Sequence, residues 1–192
     1  SVYYSMVSGL GPDIHRLLQP DHPQLTHWLE PLPIFIGEGE IVINRWLADE
    51  LDVEPGGNLT MRYITLNPDN SFDEKEIQLE VDSVVPMEKM AADSTLMPPF
   101  PGLEDSENCT DWDPGIPIDL DRIGQRDEVY WDQYRGTPRA FISYSMAQKL
   151  WGNRYGSQTS FRIQLPDQDN NPQTIEKIRN ELLDYLRTVS GK

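Results

Sequence analysis

The chain has 192 residues, 38% of them hydrophobic, with five Trp, eight Tyr and five Phe. That length and aromatic mass suit one core, or two small lobes sharing one, and are too much for a disordered segment. The net charge of −16 argues against nucleic acid and against docking on an anionic membrane surface, because nothing could neutralise a row of phosphates. A single cysteine, Cys109, excludes an internal disulfide and any cysteine metal cluster.

Val2–Val7 (VYYSMV) reads as a strand from its β-branched and aromatic content. A polar loop follows, carrying His15, His22 and His27. Ile41–Ile43 is a short apolar strand, and Asn44 sits where a helix N-cap belongs. Trp46, Leu47 and Leu51 give the ensuing helix one apolar side, and Pro55-Gly56-Gly57 stops it. Leu59, Met61 and Tyr63 alternate with polar residues, as do Ile77, Leu79 and Val81. These are two half-buried strands, joined as a hairpin through the turn chemistry of Asn67–Asp73.

From Pro98 to Gly136 neither a helical nor a strand period emerges. This stretch carries ten acids against three arginines, interleaved with Phe100, Trp112, Tyr130, Trp131 and Tyr134. A long irregular insertion in a compact domain is functional or disordered, and the aromatics favour order. Beyond it, Ala140–Ile142 reads as a strand, Tyr144–Trp151 as a helix closed by Gly152, and Thr159–Leu165 as a second strand. Asn171-Pro172 then opens a long helix whose apolar stripe is Ile175, Ile178, Leu182, Tyr185, Leu186 and Val189. The expected fold is α+β. A mixed-sheet lobe from residues 1–33 and 137–192 ends in this β-α-β-α run, and residues 34–136 form an inserted β-rich lobe including the irregular acidic loop 98–136.

The search for chemistry finds no catalytic constellation. The histidine spacings match no helical or hairpin zinc geometry. Asp105, Glu107, Asp111 and Asp113 evoke a calcium loop, but the glycine and terminal Glu of an EF-hand are missing at the required offsets. There is no G-x-S-x-G, no Walker A and no G-x-G-x-x-G. The chain is therefore expected to be no enzyme, with no cofactor and no metal.

Ile41–Arg62 (IVINRWLADELDVEPGGNLTMR) resembles the part of MacB/FtsX-type ABC permease ectodomains in which a strand ends at Asn, a short helix carries Leu-Ala, and a Pro-Gly turn leads into a strand. Val81–Met87 (VDSVVPM) looks like the strand closing the same lobe. The Pro-Gly-Leu, Asn-Cys, Trp-Asp-Pro-Gly-Ile-Pro-Ile-Asp-Leu and Tyr-Arg-Gly-Thr-Pro pieces of Phe100–Gly136 look like a subgroup of long bacterial permeases. The resemblance implies a non-catalytic extracytoplasmic domain on the periplasmic side of the inner membrane. It would lie between transmembrane helices of the same parent chain, with ATP hydrolysis in a separate ATP-binding subunit or domain. Chain ends lying so close to a strand-like segment and a helix fit that placement. A periplasmic partner protein is then expected, with Asp105, Glu107, Trp112, Asp113, Asp127 and Trp131 as candidate contacts on the acidic loop. The alternative from another class is a free-standing secreted or periplasmic binding module for carbohydrate, with Trp112, Trp131 and Trp151 as stacking platforms.

Overall fold

The computed structural model describes residues 1–10, 30–33, 35–98, 119–160 and 171–189. The chain divides into two compact units, Ser1–Thr159 and Ser160–Lys192. In the first, five strands make one mixed sheet: β1 (Val7–Leu10), β2 (Glu40–Asn44), β3 (Asn58–Leu66), β4 (Phe72–Val85) and β5 (Ala140–Ser143), in the spatial order β1-β5-β2-β4-β3. β1 runs parallel to β5 and β2 parallel to β4, whereas β5/β2 and β3/β4 are antiparallel. The helices are α1 (Arg45–Leu51), α2 (Gln125–Tyr134), α3 (Tyr144–Trp151) and, in the second unit, α4 (Pro172–Val189). The protein is thus an α+β mixed-sheet fold. Strands from both expected lobes lie side by side in it, since β2 pairs with β5 on one side and β4 on the other.

The hairpin forms as its alternation requires, in unbroken register from Asn58↔Glu80 to Leu66↔Phe72. The apolar run of β4 is a single strand of 14 residues, so Val81–Val85 continues the hairpin arm. A register shift against β2 passes Asp82 over, after which Val42 faces Ser83; such a bulge re-aims the strand locally. The first strand lies later than Val2–Val7 suggests. Tyr4 adopts φ 53°, which breaks an extended run, and pairing begins at Val7 opposite Ala140.

Both faces of the sheet are covered over its central strands. On one, Ile41, Ile43, Leu79, Val81, Ala140 and Ile142 are buried under Leu47 and Ala48 of α1 and Met146 of α3. On the other, Val42, Val85 and Phe141 are buried under Leu32, Ile36, Met90, Ala91 and Leu96. That second cover comes from Leu32, Ile36 and two 3₁₀ turns, Lys89–Ala92 and Ser94–Leu96. Each fully buried Ile, Leu or Phe contributes about 1.5–3 kcal/mol.

Helix boundaries follow local chemistry. Asn44 Oδ1 accepts from the Leu47 N–H at 2.8 Å, capping α1. The helix ends at Asp52 in a left-handed conformation (φ 50°), before the Pro-Gly-Gly turn, where Gly56 takes φ +85°. Gly152 closes α3 by close approach: a Cβ there would sit 2.5 Å from the Gln148 carbonyl oxygen. In the second unit Asn171 Oδ1 caps α4 by accepting from the Thr174 N–H at 2.9 Å, with Pro172 in the first turn. The strand expected at Thr159–Leu165 falls almost wholly outside the described residues. Among the described residues no helix is long and apolar enough to cross a membrane.

The end of the acidic insertion is not irregular. Leu120–Arg122 is a 3₁₀ turn and α2 occupies Gln125–Tyr134. The helical period is faint because α2 buries only Tyr130 and Trp131, while charged and amide side chains occupy most of its other positions.

Candidate functional site

Where α2 meets the sheet, one arginine is enclosed. Arg139 immediately precedes β5, and its backbone joins two elements: its N–H donates to the Met6 carbonyl (2.9 Å) and its carbonyl accepts from the Asn44 N–H (2.9 Å). The guanidinium carbon lies 4.3 Å from the Trp46 ring centre and 4.1 Å from that of Tyr130, and those rings sit edge to face at 4.9 Å. Arg139 Nη1 donates to Asp127 Oδ1 at 2.7 Å. The second Asp127 oxygen accepts from the Gly124 N–H at 3.1 Å, which closes the first turn of α2. The arginine side chain is 6% exposed and the aspartate 15%, so the pair interacts in a poorly solvated setting. Removing one partner of such a pair costs about 3–5 kcal/mol, and stacking on desolvated rings adds about 2 kcal/mol.

Tyr130 carries the polar network onward. Its hydroxyl donates to the Thr137 carbonyl at 3.0 Å and accepts from Asn44 Nδ2 at 3.1 Å. The same Asn44 caps α1 with its oxygen, so one asparagine fixes the start of α1 and the middle of α2. Burial pushes the Tyr130 hydroxyl up to about 12, outweighing the lowering influence of the Arg139 charge and the Asn44 hydrogen bond. At the start of α2, Arg126 reaches Glu50 of α1 at 2.6 Å. A cleft of about 10 Å³ between Met6, Tyr130, Trp131 and Arg139 has room for one water at most. The arrangement is a clasp that pins α2 to β5, β2 and α1.

Of the six candidate contacts, Asp105, Glu107, Trp112 and Asp113 lie outside the described residues, as do the three histidines, Asp111 and Cys109. Asp127 and Trp131 are both on α2, but they are engaged inside the fold. Asp127 is held by Arg139 and Gly124, and Trp131 is 4% exposed with Met6 and Ile123 packed against it and Arg135 over its ring. Trp151 is half-buried and meets Tyr63 edge to face at 5.8 Å. The sequence reading missed Arg139 and Asn44's second role. The available signal was a charged residue placed directly against an apolar strand, in Thr137-Pro138-Arg139-Ala140. Among the described residues no group of three or more His, Cys, Asp or Glu is placed to hold a metal ion.

Comparison with family models, curated proteins and solved structures gives no match to this chain.

Proposed function

We propose that this chain is a non-catalytic extracytoplasmic domain of a MacB/FtsX-type ABC permease, contacting a partner protein and coupling it to the membrane part. The observation that carries this reading is the local fold of Ile41–Arg62. There β2 ends at Asn44, Asn44 caps the Leu-Ala helix α1, and the Gly56 turn leads into β3. That is the element order, with the same capping residue, on which the resemblance rests. The clasp commits Tyr130 and Arg139 to fixed partners within the fold, so its role is to hold α2 in place. ATP hydrolysis would then belong to a separate subunit or domain.

The test uses the full-length parent protein in its own cells. Protease added to intact spheroplasts should remove this domain while a cytosolic marker survives. A domain that resists digestion until the cells are lysed would overturn the reading.

A further inference from the structure

Among the described residues the sheet ends in an open edge with a clear polarity. β3 is the outermost strand of the order β1-β5-β2-β4-β3. At the tip of the hairpin the Asn67 N–H donates to the Ser71 carbonyl at 2.9 Å, and at its base the Val81 N–H donates to the Gly57 carbonyl at 2.8 Å. Both are bonded rungs in the same register, so bonding alternates down the ladder from either end. The odd-numbered residues of β3 are therefore spent on β4, and Asn58, Thr60, Arg62, Ile64 and Leu66 direct their N–H and C=O groups outward. These groups have no partner among the described residues.

Nothing within the strand blocks that edge. Natural edges are blunted by proline, lysine, bulges or short length. β3 (NLTMRYITL) has neither proline nor lysine, and its pairing with β4 runs without a bulge over nine residues, about 30 Å of strand. The opposite edge, β1, spans only four residues.

The surroundings select the occupant. The side chains of the outward-bonding residues share a face with Phe72, Glu74, Glu76, Gln78 and Glu80, their partners on β4. Ile64, Leu66 and Phe72 make an apolar end to this face, with Phe72 39% exposed. Residues 58–85 carry six carboxylates against Arg62 and Lys75, and Arg62 already lies within 4 Å of both Glu74 and Glu76. A second copy of this chain would bring −16 against −16, whereas a basic strand meets an attractive field. We infer that the outer edge of β3 is a docking site for an extended, lysine- or arginine-bearing segment of a partner protein, added to the sheet as a sixth strand. This deepens the partner-binding part of the function proposed above and does not depend on where the domain resides.

The test uses this chain with two synthetic peptides, acetyl-Lys-Val-Lys-Thr-Lys-Val-Lys-amide and its counterpart with Glu for every Lys. The lysine peptide should slow amide exchange at Thr60, Arg62, Ile64 and Leu66 while the glutamate peptide leaves them unchanged. Ile64→Pro removes one outward donor and leaves the β4 rungs intact, so it should weaken lysine-peptide binding about tenfold. The exposed pair Glu74→Gln/Glu76→Gln, which leaves the backbone untouched, should weaken it severalfold. Equal binding of both peptides, protection confined to other amides, or binding indifferent to both variants would overturn the inference. So would a dimer in sedimentation that protects these same four amides, since that outcome assigns the edge to a second copy. Spheroplast digestion reads location alone, so the two proposals can fail separately.

Discussion

Tyr130 shows how much of this fold rests on single polar side chains placed in apolar surroundings. Its hydroxyl is buried and doubly hydrogen-bonded, with Asn44 as donor and Thr137 as acceptor. Losing its proton would leave a phenolate facing the Thr137 carbonyl in a desolvated site, and burial accordingly raises its pKa to about 12. An unfolded tyrosine titrates near 10. The folded value is raised, so the linked stability is fully present below pH 10 and is lost as pH climbs from about 10 to about 12. Across that window the loss is about 2–3 kcal/mol. Urea denaturation of the wild type and of Tyr130→Phe at pH 9 and pH 11 checks this, the phenylalanine variant being weaker at pH 9 but losing less between the two. If both lose stability equally over that interval, Tyr130 is not the titrating group. The cluster around it was illegible in the sequence for a physical reason. Asn44, Trp46, Asp127, Tyr130 and Arg139 come from separate stretches, and no spacing rule links a cap, a ring and a buried guanidinium that only the sheet brings together.

At the scale of elements, local chemistry made much of the fold readable. The β3–β4 hairpin follows from strict alternation, α1 from Asn44, and α4 from Asn171-Pro172 and a helical stripe, because each signal lies within its own segment. The failures occurred where tertiary contacts decide. α2 escapes a periodicity argument because two aromatics and one buried ion pair hold it, without an apolar stripe. β1 begins only at Val7, after Tyr4 turns at φ 53°, and α3 packs directly on it where only glycine fits at the contact. A Cβ built on Gly9 would lie 2.3 Å from the Ala147 Cβ. Backbone and helix must separate to admit a methyl group, so Gly9→Ala should destabilise the domain by about 1–3 kcal/mol. The reciprocal change tests the cause. Ala147→Gly alone should cost about 1 kcal/mol through helix propensity, yet introduced beside Gly9→Ala it should restore part of the loss. A double-mutant cycle in urea that returns simple additivity would show that the two positions do not meet.

For the molecule as a whole, the dominant long-range term is charge. The chain carries 32 acids against 16 lysines and arginines, and many ion pairs, such as Arg45–Asp49 and Lys149–Glu38, are between exposed side chains. Exposed pairs of that kind stabilise by about 0.2–1 kcal/mol each at best, and salt screens them. The same salt screens the mutual repulsion of the surplus carboxylates, which disfavours every compact state. These effects oppose one another, and magnitude decides between them. The surplus acts over the whole surface within a screening length, about 30 Å at about 0.01 M salt and about 8 Å at about 0.15 M. The pairs are local, and the strongest, Arg139–Asp127, is buried where ions do not reach it. Raising sodium chloride across that range at pH 7.5 should therefore raise the Tm by a few degrees. Near the isoelectric point of about 4.4 the net charge vanishes, and the same addition should leave the Tm flat or lower it while solubility passes through its minimum. Calorimetric scans at both pH values read the two signs directly. A Tm that falls with salt at pH 7.5 would mean that the exposed pairs outweigh the surplus, and that the acidic surface is organised into networks rather than left as an unbalanced field.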